Sequence, residues 1–394
     1  MPNHFKKLGV FIAFILVLCA CAQPNQALVA TKINTSPLPE YDYSNLDYGM
    51  TIGIQNTNKG RIWAAWIGGG DDEKAFFVLN YSDNKGKSWS KPKVVVDPHL
   101  EDLKEERRAL VGNLWLDPNG KLWLFYDQGM GYFDGRAGTW FINTENPDAE
   151  NPTWSKPQRI WHGASLNKPI VLNNGSWMLP VSLWDRSKIK DEKYKNKFKE
   201  LDSLRRANVF VSQDEGKTWV RKGGVRFPKP KFDEHCLIEK SDGSIWMTAR
   251  TNDGIWESFS KDKGKSWSTP QKYMTHINSR HFMRRLNSGN ILLIRHGDID
   301  EKLEERSNLM AFLSKDEGKT WGGGLLLDER KTISYPDGFQ DSDGTIHIAY
   351  DRNRSKDGEI LMVTFTEDEI LKQKFKNPTA QQRILISKPA GTSK

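Results

Sequence analysis

Apolar and polar residues alternate in short runs along this chain, and the runs come in pairs joined by a turn that ends in glycine. The copies are GMTIGIQNTNKGRIWAAW, LVGNLWLDPNGKLWLFYD, NKPIVLNNGSWMLPVSLW, HCLIEKSDGSIWMTAR, HFMRRLNSGNILLIRH and YPDGFQDSDGTIHIAYD. Their turn glycines are Gly60, Gly120, Gly175, Gly243, Gly289 and Gly344, at intervals of 46 to 68 residues. Such turns between apolar runs predict β-hairpins, because glycine reaches positive φ without strain. Six recurrences of one unit predict a repeat architecture.

A second motif interleaves with the first. It reads SQDEGKTW from Ser212, SKDKGKSW from Ser260 and SKDEGKTW from Ser314. A looser copy, SDNKGKSW from Ser82, has Asn84 where the others have Asp. The physics is local: the Asp side chain accepts from turn amides, glycine permits the bend, and the tryptophan anchors the hairpin in the core. The motif is therefore structural, and Trp89, Trp219, Trp267 and Trp321 are expected to pack within or between sheets. Two hairpins per repeat make four strands. The expected fold is all-β, a six-bladed β-propeller with four-stranded blades. The charged insertion at 186–205 is expected as a surface helix. The run Ile360–Phe365 is expected to close the ring against an N-terminal strand.

The first residues do not belong to this pattern. Lys6 and Lys7 precede a short apolar run, Leu8 to Leu18, followed by Cys19-Ala20-Cys21. Such a run reads as a secretory signal. A small residue before a cysteine at its end resembles a bacterial lipobox, which would leave Cys21 as a lipidated N-terminus. Residues 1–21 are thus expected as signal and lipobox, 22–40 as a tether and 41–394 as the propeller. The expected location is the bacterial cell envelope, lipid-anchored to a membrane. Once Cys19 and Cys21 are assigned, Cys236 has no partner, so no disulfide framework is expected. No Cys/His spacing suggests a metal site, and no cofactor is expected. The fifteen tryptophans suit β-sheet cores and sugar faces. A formal charge of +8 is modest for 394 residues, and the lysines are spread along turns. Nucleic acid is therefore a poor partner, and an anionic small substrate is compatible.

The alternation of glycine hairpins with SxDxGxxW boxes resembles the sialidase superfamily, over roughly residues 45 to 370. The segment Trp66-Ile67-Gly68-Gly69-Gly70 is similar to the branch with a Gly-Gly stretch after the first hairpin. The resemblance implies three arginines for a substrate carboxylate, a tyrosine nucleophile, a glutamate that takes its proton, and an aspartate acid/base. Tyr335 opens the sixth hairpin where the family's tyrosine lies. Glu234 opens the fourth hairpin, and Arg250 ends it, as the family's glutamate and second arginine do. Arg306 precedes the strand leading to the last box, as the third arginine does. The first arginine is missing: Met50 stands there. Asp71 and Asp72 are the carboxylates nearest the expected acid. The resemblance thus implies a carboxylate clamp short of one arginine. Arginines beside Tyr335 are expected to lower its pKa.

Other polar groups stand at hairpin ends. They are His235 beside Glu234, Arg280 and His281 before the fifth hairpin, Arg295 and His296 after it, Lys168 before the third, and Arg107 and Arg108 before the second. Tyr335, Glu234, His281 and His235 are the catalytic candidates; Arg250, Arg306, Arg280 and Lys168 are the substrate-binding candidates. Arginine can hold a carboxylate bidentately, and histidine can move protons near neutral pH. An acidic oligosaccharide is the expected substrate. The favoured reaction is elimination on a uronate by a lyase or dehydratase, which needs a carboxylate neutraliser and a base but not two catalytic carboxylates. The alternatives are a sialidase-like glycoside hydrolase with a tyrosine nucleophile, and a glycan-binding propeller without turnover.

Overall fold

In this computed structural model, which describes residues 26–100, 105–378 and 380–389, all six predicted hairpins form. Every one of their turn glycines has φ between +79° and +91°. Each hairpin supplies the two inner strands of one antiparallel sheet, and the next two strands, joined by a box in all blades but the sixth, supply the outer ones. The inner strands are Met50–Asn56, Gly112–Leu116, Ile170–Val171, Pro230–Glu239, Phe282–Arg285 and Ile333–Gln340. Each begins a sheet of four strands taken in chain order, which makes six blades of a propeller. Blade one gains a fifth strand, Ile33–Asn34, on its outer edge against Val95 and Val96.

The boxes behave as local physics requires. In the box of blade three the Ser212 hydroxyl donates to Asp214 Oδ1, and the Gly216 amide donates to Ser212 Oγ, both at 2.8 Å. The Thr218 amide closes the turn on Asp214 at 2.9 Å. Asn84 performs the same task with its amide oxygen in blade one. Blade two carries a degenerate box the sequence reading missed. There Thr144 and the Thr153 amide both donate to Asn146 Oδ1, and Trp154 follows. The four boxed tryptophans are half-buried and pack as expected; Trp219 stands edge-on to Phe125, and Trp321 donates to the Tyr273 hydroxyl at 2.6 Å. Blade six replaces its box with the short helix Glu367–Lys372, capped by Thr366.

Three expectations change. The insertion at 186–205 is no α-helix but three 3-10 turns, Arg186–Lys188, Glu192–Tyr194 and Lys199–Leu204. Phe198 in the left-handed region breaks it, and Tyr194 and Leu201 tuck into the core. The run Ile360–Phe365 does not pair with an N-terminal strand. It lies third in blade six, between Ile346–Arg352 and Gln381–Ser387. The ring closes by packing instead: Ile360 and Met362 meet Ile54, Trp66 and Val78 of blade one. Finally, residues from Gln26 onward are docked, not free. Arg107 donates to the Gln26 and Val29 carbonyls, and Gln128 holds Val29 and Thr31. Cys21 and the signal segment lie outside the described residues.

Candidate functional site

Two β-bulges place the central pair of side chains. The strand Pro230–Glu239 slips register on either side of Asp233, and Ile333–Gln340 slips between Ser334 and Asp337. At these bulges Asp233, Glu234 and Tyr335 hold φ of +59°, +46° and +49°. Such backbone costs about 1–3 kcal/mol per non-glycine residue and concentrates at functional sites. A bulge also re-aims its side chain out of the ladder. The result is that the Tyr335 hydroxyl donates to Glu234 Oε1 at 2.8 Å, across 101 residues of chain. Tyr335 is 7% exposed and Glu234 1%.

Arginines surround this pair. Arg250 Nη1 donates to both Glu234 oxygens at 2.9 Å. Its Nε and Nη2 donate to the side-chain and main-chain oxygens of Asn278. Arg306 Nη2 shares that Asn278 carbonyl at 3.0 Å, and its Nη1 donates to Ser334. Asn278 thus draws two like charges together. A third cation, Arg354, was not found in the sequence. Its guanidinium carbon lies 4.2 Å from the centre of the Tyr335 ring. Asp351 grips Arg354 at 2.8 and 3.1 Å, and the Arg354 carbonyl accepts from the Gly49 amide. This contact seats Arg354 beside the start of blade one, next to the buried Met50. The clamp therefore has three arginines, one of them from the turn after Ile346–Arg352. No hairpin pattern marks that turn, so only the docking on Gly49 reveals it.

Asp71 follows Gly68-Gly69-Gly70 and sits 3.6 Å from Arg354 Nη1 with half its side chain exposed. Its charge reaches Tyr335, Tyr132 and Tyr48, which places it at the mouth. Asp72 instead caps its own turn through the Lys74 amide. A cleft of about 400 Å3 lined by Arg306, Ser334, Asn353 and Arg354 opens beside the clamp. A wider groove of about 850 Å3, lined by Ile33 and Trp154 on the outer rim of blades one and two, holds none of these groups.

The electrostatics define the resting state. Burial, then the Glu234 charge, raise the Tyr335 pKa; these outweigh Arg250 and Arg354. The expectation of a lowered value is therefore corrected. Burial pushes the Glu234 carboxyl up, but the Arg250 charge and the hydrogen bonds from Arg250 and Tyr335 hold it below its ordinary value. The pair rests as a phenol and a carboxylate. Arg306 is lowered by burial and by the charges of Arg250 and Arg354. Three crowded guanidinium groups favour an anion between them.

The other candidates lie elsewhere. His235 is buried in a blade interface, with Nε2 bonded to the Asn208 carbonyl at 2.8 Å. His281 is fully buried against Thr248 Oγ1 at 2.9 Å. Lys168 plugs the channel: its ammonium donates to the Ile54 and Leu114 carbonyls and pairs with Asp337 at 2.8 Å. Burial lowers its pKa to about 8. Arg280 lies between plug and site, 5.7 Å from the Tyr335 ring, with its donors on Asn167 and the Leu166 carbonyl. His235, His281, Lys168 and Arg280 are thus walled off by protein, a fact set by burial and invisible in hairpin position. Arg108 is likewise buried on Asp127. Among the described residues no group of His, Cys, Asp and Glu is arranged to hold a metal.

The buried histidines give a pH prediction. Burial lowers His235 to about 4 and His281 and His296 to about 3. The unfolded chain, with ordinary imidazoles near pH 6.5, then binds more protons below that pH than the folded chain. Stability is expected to fall as pH drops from about 6.5, by up to about 1.4 kcal/mol per unit per histidine. Urea unfolding at pH 7 and pH 5.5 checks this; equal midpoints would contradict it.

Comparison with known proteins agrees with the fold. The family described as BNR repeat-like domain matches residues 60–348. A Hadza microbial sialidase superposes with a TM-score of 0.64 at 16% identity, covering 83% of this chain and 67% of that one. The intramolecular trans-sialidase from Ruminococcus gnavus gives 0.62 at 13% identity, covering 84% and 97%. A protein of unknown function from Dyadobacter fermentans gives 0.58 at 16% identity, covering 80% and 93%. No curated protein sequence matches this chain.

Proposed function

Because the chain belongs to the BNR repeat-like domain family, we propose that its propeller is a retaining glycosidase that removes a terminal carboxylate-bearing sugar of the sialic acid type. The observation that carries this reading is the Tyr335 hydroxyl on Glu234 at 2.8 Å inside a ring of three arginines. Arg250, Arg306 and Arg354 hold the substrate carboxylate. Tyr335 Oη attacks the anomeric carbon while its proton passes to Glu234. A phenol suits this task, since a carboxylate nucleophile would be repelled by the substrate's own carboxylate. Asp71 protonates the leaving oxygen, which departs as an alcohol. An incoming hydroxyl, from water or a sugar, then gives its proton to Asp71 and displaces Tyr335, which recovers the proton from Glu234. The sialidase and trans-sialidases of similar fold support this reading.

Elimination on a hexuronate keeps Tyr335 as a candidate base but loses the other, His281, which is walled off. A binding-only propeller gives no reason for two strained residues to share a proton. The test is a panel of aryl glycosides of sialic and hexuronic acids followed by proton NMR. Release of the acidic ketose with its anomeric configuration retained is expected. Unsaturated uronate formed without addition of water would overturn the reading.

Arg354→Met should lower kcat/KM for the acidic glycoside about ten- to a hundredfold, the scale of one lost charged hydrogen bond. Arg354→Lys should recover part of it. Unchanged kinetics in Arg354→Met would remove Arg354 from the clamp. Lipidation at Cys21 and a cell-envelope location are also proposed, on the lipobox-like Cys19-Ala20-Cys21 stretch. Cys21→Ser should move the chain from the membrane to the soluble fraction; persistence in membranes would speak against it.

A further inference from the structure

Next to the clamp lies a second concentration of positive charge. Phe232, two residues before Glu234, is half-buried and fixed by the edge of Trp184, with ring centres 5.0 Å apart. Three cations surround its ring: Lys188 Nζ at 5.3 Å, Lys231 Nζ at 5.6 Å and the Arg250 guanidinium at 5.8 Å. Lys188 comes from the first turn of the blade-three insertion, Lys231 from the edge of blade four.

The nearby carboxylates are already engaged. Asp185 accepts from the Ser187 amide and pairs with Arg226, and Glu234 is held by Arg250 and Tyr335. Asp233 accepts from the Ser182 hydroxyl, and burial raises it to about 7, so it is only partly ionised at neutral pH. Among the described residues neither Lys188 nor Lys231 forms an ion pair. Burial and the Lys231 charge lower Lys188 from its ordinary value, and outweigh the opposing charges of Asp185 and Asp233. Ordinarily a half-buried lysine finds a carboxylate. Here the insertion brings Lys188 to the aromatic face that Lys231 already shares, in the strand that carries Glu234.

We propose that Lys188 and Lys231, across the face of Phe232, form a second anion subsite that takes a carboxylate or sulfate ester carried by the same glycan, so that the substrate is at least doubly acidic. This deepens the glycosidase reading and rests on it for the position of the first acidic sugar. Phe232 offers its ring to the apolar side of the sugar, and the ammonium groups take the anionic substituent. The arginine clamp fixes one negative charge and the lysine pair the other, which sets the orientation of the glycan across the mouth.

The test is direct binding to the full chain by titration calorimetry, free of any need for turnover. Three probes serve: a disaccharide of two carboxylated sugars, a sulfated glycoside of one carboxylated sugar, and the unsulfated glycoside. The wild-type chain is expected to bind one of the two doubly acidic probes about tenfold or more tighter than the singly acidic one. Which one it prefers tells carboxylate from sulfate. In Lys188→Ala/Lys231→Ala that preference should vanish, with the singly acidic probe unchanged within about twofold and the melting temperature preserved. Equal affinity for all three probes in the wild type, binding of none, or equal losses in the double variant would overturn the subsite. Failure of the glycosidase reading shows separately, as turnover that survives Tyr335→Phe.

Discussion

Tyr335→Phe is expected to abolish turnover on an acidic glycoside, by at least about a thousandfold, while the propeller stays folded. Removing a residue that forms the covalent intermediate typically has this scale of effect. The substitution keeps the ring, its packing and the contact with Arg354, and removes only the hydroxyl. Glu234 loses one donor but keeps both bonds from Arg250, so no buried charge is stranded. Binding of the acidic sugar should survive, because the three arginines are untouched. The variant should therefore combine a near-normal dissociation constant with lost kcat. A folded variant with full activity would remove the proposed nucleophile.

Asp337→Ala is expected to be the most destabilising single change in the channel, at about 3–5 kcal/mol, the cost of breaking a buried ion pair. Asp337 Oδ2 accepts from the Ile54 amide at 2.9 Å and pairs with Lys168 at 2.8 Å, and its other oxygen lies 3.6 Å from Arg280. It joins blade six to blade one across the channel and neutralises the lysine plug. Without it, Lys168 and Arg280 become unpaired buried cations. Replacing both partners, as in Lys168→Met/Asp337→Leu, should recover part of the loss, because only Arg280, still bonded to Asn167 and the Leu166 carbonyl, then lacks a carboxylate. Denaturant unfolding of the two variants measures this. A cost below about 1 kcal/mol for Asp337→Ala would show that the Lys168–Asp337 pair does not help to hold the blades together.

The extent to which the chain could be read in advance follows the range of the interactions. A box such as Ser212–Trp219 makes its bonds within eight residues, so its sequence carries its structure. The box of blade two escaped because Asn146 does the work of aspartate across a longer loop. Glu234 and Tyr335 meet across 101 residues, and only resemblance to a family paired them. Arg354 had neither local pattern nor family counterpart; its place follows from a main-chain bond to Gly49. His281 and Lys168 misled for the opposite reason. They stand at hairpin ends as site residues do, but the channel buries them, and hairpin position says nothing of depth. Met50 stands where the resemblance expects an arginine, and the guanidinium found beside Tyr335 comes instead from the neighbouring blade six.

The claim that a tyrosine nucleophile works inside an arginine clamp is tested most directly by covalent trapping. An acidic ketoside with fluorine beside the anomeric carbon and a fast leaving group slows the second step, so a glycosyl-enzyme intermediate accumulates. Intact-mass measurement and peptide mapping then locate the sugar. The expected result is one sugar per chain, on the peptide bearing Tyr335, and none on Tyr335→Phe. A sugar on another residue, or turnover of the fluorinated ketoside with no adduct and with Tyr335→Phe still active, would contradict the account.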